Sequence, residues 1–298
     1  CRMTIVVSGS NGFTGRFVCA ELQRRQRSFI ALLRPGSETA WMNAHQIPVR
    51  FADLNNTEQL ATQLKGCSAL LNVASIGFGA APSILDACRV AEVSRAVFVS
   101  TTAIFTQLNA GSKVVRQAAE AAINSSGLNT TILRPTMIYG TPGDRNMIRL
   151  VRWVDRWPIL PVFGNGRSLQ QPVHVSDVAW AVVEALEASA TIGREFNISG
   201  AAPLTYKNVV RLTAQALGRR VQRVHIPARP TVAALQAVER LGFTFPIKAE
   251  QVLRLNEEKA FSHAEAAQVF GYAPMAFEQG IRQEVALFRS GGEGLSIC

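Results

Sequence analysis

The residues best placed to do chemistry are Gly9-Ser10-Asn11-Gly12-Phe13-Thr14-Gly15. They follow an apolar run, Thr4–Ser8, and open a segment of helical spacing. Three glycines at G-x-x-G-x-x-G suit a strand-to-helix turn that cradles a diphosphate. Gly9 permits the tight reversal, Gly12 lets the backbone come close to the phosphates, and Gly15 lets helix and strand pack. The helix N-terminus then offers free N–H groups and partial positive charge to the phosphates. The alternative is an ordinary turn with incidental glycines. Its place at the head of an alternating α/β pattern favours a dinucleotide site built from Gly9, Asn11, Gly12, Phe13, Thr14 and Gly15.

Arg34 follows the second apolar run, where an acid would bond the ribose 2′-hydroxyl of NAD. A guanidinium there clamps a 2′-phosphate instead. Ser37 offers a hydroxyl and Arg16 a second positive charge. These residues predict NADP rather than NAD.

Such a turn needs a sheet behind it. Strands are predicted at Thr4–Ser8, Phe29–Leu33, Val49–Ala52, Ala69–Val73, Ala96–Ser100 and Thr131–Arg134. Helices are predicted between them at Gly15–Arg27, Glu38–Gln46, Thr57–Leu64, Pro82–Val93 and Lys113–Asn124. Continuous apolar strands alternating with helices imply a parallel sheet covered on both faces, a Rossmann-type doubly wound α/β fold. Beyond residue 140 the pattern loosens. Helices are expected at Arg145–Trp157, Asp177–Glu187 and Tyr206–Leu217, and strands at Glu195–Ile198 and Val221–Ile226. The expected division is a dinucleotide-binding domain over 1–140, a smaller mixed α/β substrate lobe over 141–290 whose chain contributions can interleave with the first, and a flexible tail over 291–298.

Of the 298 residues, 48% are hydrophobic and 17% charged, which excludes disorder, collagen and coiled coil. A net charge of +10 favours anionic partners without choosing among them. The five cysteines form no C-x-x-C pair, and Thr4–Val7 is too short for a secretory segment, so a reduced, cytoplasmic protein is expected. Gly66 to Leu85 lacks charge, but Asn72, its glycines and Pro82 make it a strand, a loop and a helix start rather than a membrane span.

Together these features resemble the short-chain dehydrogenase/reductase superfamily, in its extended or atypical NAD(P)-dependent epimerase/dehydratase branch. The resemblance spans roughly residues 3–290. Ala52-Asp53-Leu54 looks like the segment near the adenine. Asn72-Val73-Ala74-Ser75 looks like the turn beside the cofactor. Val97-Phe98-Val99-Ser100-Thr101-Thr102 looks like the fifth strand with its catalytic Ser/Thr, Thr102. Leu133-Arg134-Pro135-Thr136-Met137-Ile138-Tyr139-Gly140 looks like the loop passing the nicotinamide. Gln171-Pro172-Val173-His174-Val175-Ser176-Asp177-Val178-Ala179 matches a second-half segment. The resemblance therefore implies cofactor contacts from Asp53, Leu54, Ala74, Ser75, Pro135 and Ile138.

Active members carry Tyr-x-x-x-Lys on the helix after the fifth strand, the tyrosine moving a proton and the lysine lowering its pKa and holding the ribose. Here those places fall on Ser112 and Arg116. Arg116 can hold ribose hydroxyls but cannot give up its proton at neutral pH. A shift of register would move Lys113 but create no tyrosine. Nucleotide-sugar epimerases also carry an arginine for the diphosphate where this chain has Gln170, with Arg167 three residues earlier. The Gln-Pro-Val-His form is instead similar to the group of the nucleotide-binding accessory subunit of respiratory complex I. The catalytic candidates are Thr102, Ser112 and Arg116. Two functions stay open: an oxidoreductase or epimerase on a small carbonyl, alcohol or sugar-derived substrate, and a non-catalytic NADP-binding regulator or accessory subunit.

Arg145, Arg149, Arg152 and Arg156 make one basic stripe beside Trp153 and Trp157. The favoured reading is a solvated helix face, the alternative a wall attracting an anionic substrate or lipid head group. Membrane contact has no other support in the sequence, and no nucleic-acid signature accompanies the charge. His174 reads as a structural histidine and Asp177 as a cap or first-turn acid. No metal site is spaced in the sequence, and the partners expected are a small-molecule substrate and, at most, a second copy of the chain.

Overall fold

Neighbouring residues in most of the early strands point to opposite faces, and both faces are apolar. Val6, Leu70, Phe98 and Ile132 enter one buried cluster, while Val7, Leu71, Val97 and Leu133 enter another. Only a sheet sandwiched between two helical layers satisfies both sets. A computed structural model describes residues 4–108, 111–240 and 248–292.

The first half runs β1 (Ile5–Ser8), α1 (Phe13–Arg24), β2 (Phe29–Leu33), α2 (Ala40–Ala44), β3 (Val49–Phe51), α3 (Thr57–Leu64), β4 (Ala69–Asn72), α4 (Ala81–Val90), β5 (Arg95–Val99), α5 (Gly111–Asn124) and β6 (Thr130–Pro135). The second half runs β7 (Ile138–Tyr139), α6 (Met147–Arg156), β8 (Ile159–Phe163), β9 (Leu169–Gln170), β10 (Val173–His174), α7 (Val175–Glu187), β11 (Arg194–Ile198), β12 (Leu204–Thr205), α8 (Tyr206–Ala216), β13 (Gln222–Ile226), α9 (Ala228–Arg240), α10 (Ala249–Asn256), α11 (Ala264–Phe270) and α12 (Phe277–Ser290). The main sheet has seven parallel strands in the order β11-β6-β5-β4-β1-β2-β3. This is the Rossmann order with one strand added. Its switch point lies between β1 and β4, where a crevice opens at the carboxyl ends of the strands.

β11 lies far along the chain yet pairs with β6, and α7 packs on α1. Arg25 fastens that helix pair through Glu21, Glu184 and Glu187 at 2.7–3.0 Å. Buried Arg95 lies behind the sheet, donating to the carbonyls of Ala96, Asn129 and Ala185 and the hydroxyls of Thr131 and Thr191. Burial pushes its pKa down to about 10. A separate core gathers Tyr139, Ile148, Val151, Leu212, Phe277 and Ile281 from the second half.

Several boundaries differ from those expected. α1 begins at Phe13, not Gly15, and ends at Arg24, two residues before Gln26 turns left-handed at φ 55°. α6 begins at Met147 because the Asp144 carboxylate accepts the amides of Asn146 and Ile148 at 2.7 and 3.2 Å, leaving Arg145 outside the helix. β8 has no counterpart among the expected strands. Pro161 breaks its sequence signal, and it pairs with β13 in a two-stranded sheet of its own. The segment 66–85 does form a strand, a short 3-10 turn and a helix start. Of the expected tail, Gly291 caps α12 in a left-handed conformation, and residues 293–298 lie outside the described residues.

Candidate functional site

The glycine turn leaves no room for side chains. A Cβ on Gly15 would sit 2.0 Å from the Gly9 carbonyl oxygen, and one on Gly9 would sit 2.5 Å from the Ala74 amide. Gly9 also has φ +69°, a conformation that strains other residues. The turn closes through the Gly12 amide on the Gly9 carbonyl, at 3.0 Å. Gly12 caps α1 without a side-chain acceptor, and no acid stands in the first turn. The amides of that first turn therefore meet no carboxylate within it. The Cβ-free cradle fits a diphosphate.

The turn is braced from β4. Ser8 donates to the Asn72 side-chain oxygen at 2.6 Å, and the Asn72 amide donates to the Ala74 carbonyl at 3.0 Å. Asn72 thus ties the ends of the two switch-point strands together. The sequence showed it as a polar residue in an apolar run, at the start of the segment resembling the turn beside the cofactor; its bracing role depends on a strand pairing 64 residues apart. Ser75 caps the following 3-10 turn by accepting the Gly77 amide.

Beyond β2, Arg34-Pro35-Gly36-Ser37 forms a turn closed by the Ser37 amide on the Arg34 carbonyl at 3.0 Å, with Gly36 at φ +81°. Proline then glycine is the signature of a type II turn. Arg34 is exposed and Ser37 half-buried. Asn11 links the glycine turn to this loop through the Glu38 carbonyl at 2.7 Å. The Arg16 guanidinium lies 5.4 Å from the Trp41 ring centre, its buried Nε without a partner. The Asp53 carboxylate accepts the Asn55 amide at 3.0 Å, while Leu54 packs on the adjoining core.

The second set of candidates lies after β5. Thr102 is buried and donates to the Pro135 carbonyl at 3.4 Å. On α5, exposed Ser112 accepts a hydrogen bond from Arg116 at 2.8 Å. Arg116 packs over Gly77, where a Cβ would meet its Nε at 3.0 Å. The fold thereby brings Arg116 to the loop that holds Ala74 and Ser75. Lys113 points elsewhere, donating to the Thr106 carbonyl at 2.7 Å. Tyr139 and Tyr272 are buried in the core and Tyr206 is half-buried on α8. Pro135 and Ile138 flank the bend between β6 and β7, the former buried and the latter half-buried.

Glu257 escaped the sequence reading. It accepts the Thr106 hydroxyl at 2.7 and 2.9 Å and the Gln107 amide at 2.7 Å, so the second half clasps the loop that follows Thr102. Gln170 is buried and donates to the Glu257 carbonyl at 3.2 Å, so its amide braces this clasp. His174 caps α7, as a structural residue, and burial pushes its pKa down to about 4. Asp177 stands in that helix's first turn, but its carboxylate accepts the distant Met275 amide at 2.9 Å; the cap is the imidazole. Among the described residues no cluster of His, Cys, Asp and Glu is arranged to hold a metal.

A profile of the NAD(P)H-binding family matches residues 9–189, from the glycine turn through α7. The chain belongs to that family. It is a Rossmann-fold member of the extended short-chain dehydrogenase/reductase branch. A 2-alkyl-3-oxoalkanoate reductase from Stenotrophomonas maltophilia is 25% identical, over 94% of this chain and 98% of that one. Mitochondrial NADH dehydrogenase [ubiquinone] 1 alpha subcomplex subunit 9 from Dictyostelium discoideum is 24% identical, over 66% of this chain and 59% of that one. The crystal structure of a nucleoside-diphosphate-sugar epimerase from Pseudomonas aeruginosa superposes with a TM-score of 0.80 at 16% identity, covering 98% of this chain and 99% of that one.

Proposed function

We propose that this NAD(P)H-binding protein is an NADP-dependent oxidoreductase or epimerase acting on a small carbonyl, alcohol or sugar-derived substrate. The observation that carries the cofactor reading is the Cβ-free glycine turn, with Arg34 and Ser37 at the two ends of the neighbouring turn. The first-turn amides of α1 bind the diphosphate, and Arg34, helped by Ser37 and Arg16, neutralises the 2′-phosphate. Asp53 and Leu54 border the adenine, Ala74 and Ser75 line the crevice, and Pro135 and Ile138 shape the bend beside the nicotinamide. Arg116 holds ribose hydroxyls. Once bound, the nicotinamide supplies or accepts the hydride.

Thr102 orients the substrate oxygen, and Ser112 or a water relays its proton. A serine hydroxyl is a poorer acid than phenol, and losing a dedicated acid or base commonly forfeits about 10²–10⁴ in rate. The substrate half is residues 141–290, with β11 and α7 lent to the sheet of residues 1–140. Buried free thiols at Cys19, Cys67 and Cys88 support a reducing compartment such as the cytoplasm. Among the described residues no helix is long and apolar enough to cross a membrane.

The replacement of phenol by Ser112, whose hydroxyl is already engaged by Arg116, favours a second reading: NADP as a structural or sensed ligand whose binding stabilises the fold by mass action. Calorimetric titration of wild type and Arg34→Asp with NADP and NAD tests the cofactor reading, and equal wild-type affinities overturn it. NADPH consumption with a carbonyl panel, compared between wild type and Thr102→Ala, separates the functions. Turnover abolished by Thr102→Ala supports the enzyme; tight binding without turnover supports the ligand-sensing protein.

A further inference from the structure

The chain's charge is unevenly placed. Residues 145–176 and 196–238 hold eleven Lys/Arg and one acidic residue, Asp155, a net +10 that equals the charge of the whole chain. The fold brings much of it to one side. On α6, Arg149, Arg152, Trp153 and Arg156 occupy about a 100° arc, opposite buried Met147, Val151 and Val154. Among the described residues Arg149, Arg152 and Arg156 pair with no carboxylate, while Asp155 is taken by Arg219 at 3.4 Å. A surface pocket of about 230 Å³ nearby is lined by Arg211, Arg219, Arg220 and Arg223.

A merely solvated helix face would be polar throughout, and this one is not. Trp153 is 43% exposed, Trp157 50% and Ile159 49%. They are contiguous with the charge. The Trp153 indole donates to the Ile159 carbonyl at 2.9 Å, and the Arg156 guanidinium lies 5.6 Å from the Trp157 ring centre. The β8–β13 pairing sets Val224, 45% exposed, beside Pro161. Indoles and arginines side by side, the former suited to a headgroup boundary and the latter to lipid phosphates, are the composition of an interfacial surface. A nucleic-acid face needs the charge but gains little from exposed Ile159 and Val224.

We infer that the face formed by α6, the start of β8 and the outer side of β13 docks peripherally on an anionic phospholipid surface. Arg149, Arg152 and Arg156 meet the phosphates while Trp153, Trp157 and Ile159 enter the headgroup layer. This inference does not rest on the catalytic reading, since none of these residues lies at the glycine turn or beside Thr102.

The test is co-sedimentation of the full chain with phosphatidylcholine vesicles, with and without about one-third phosphatidylglycerol. Binding is expected only to the anionic vesicles. Arg149→Glu/Arg152→Glu/Arg156→Glu should lower the partition coefficient by about a hundredfold or more. Trp153→Ala/Trp157→Ala should retain low-salt binding but lose what survives at high salt. Thermal melting confirms that each variant is folded. Wild type needs no substitution for the second measurement: lipids brominated on their upper acyl chains should quench its tryptophan emission. The inference is overturned by absent binding, by variants that bind like wild type, by absent quenching, or by duplex DNA that displaces the protein from vesicles.

Discussion

The glycine turn and the corner around Thr102 both sit at the carboxyl ends of the sheet, but they are held in different ways. The turn is backbone packed on backbone, with hypothetical Cβ contacts of 2.0 and 2.5 Å and Asn72 bridging β1 and β4. In the corner, Ser112 is exposed, Arg116 is long and reaches it at 2.8 Å, and the loop after Thr102 is fastened from another part of the chain by Glu257. Backbone geometry of the first kind tolerates almost no substitution. Side-chain geometry of the second kind can change its chemistry while the fold stays intact.

The largest effect should come from breaking the rigid region. Gly15→Val drives a branched side chain into the Gly9 carbonyl; thermal melting should show a loss of about 1–3 kcal/mol and calorimetry no measurable cofactor binding. A near-normal titration would mean that the turn is not the diphosphate cradle. Arg34→Asp should weaken NADP by about ten- to a hundredfold while leaving NAD within a few-fold, read by the same titrations.

The clasp between the regions comes next. Glu257→Gln keeps the shape but weakens acceptance from Thr106 and Gln107, and should cost about 1 kcal/mol in urea unfolding. Any turnover should fall by more than cofactor affinity does; equal losses would place the clasp outside the corner's function.

A pH-dependent effect concerns Glu284 on α12, fully buried beside Asp144. Burial, and then the neighbouring Asp144, push its pKa up to about 9 from 4.5. The folded state holds a proton that the unfolded state releases, so this contribution is full below about pH 4.5 and fades as pH rises towards 9. Glu284→Gln should flatten the decline of thermal stability across that window. The least effect is expected of Ser112→Ala, within about threefold in turnover if water already relays the proton. A fall of two orders of magnitude would make its hydroxyl the acid and sharpen the contrast between the regions.

Periodicity found the six early strands to within a residue or so because most are short apolar runs sealed between two cores, with the edge strand β3 the exception. It missed β8 because Pro161 spoils the run, and it began α6 two residues early because Asp144 outcompetes Arg145 for the helix start. The glycine spacing marked the turn, but not Asn72 as its brace. Arg116 was singled out by its place on α5, while the space Gly77 leaves for its guanidinium came from packing.

Local chain chemistry was enough to specify the parallel sheet, its helical layers, the cradle and the sign of the charge beyond β2, because each depends on residues a few positions apart. Tertiary structure alone decided that β11 joins β6, that Glu257 clasps the loop after Thr102, and that Trp153 and Trp157 lie exposed beside arginines that pair with no carboxylate among the described residues. Each depends on which distant segments meet, and a residue's burial is set by those neighbours rather than by its own type.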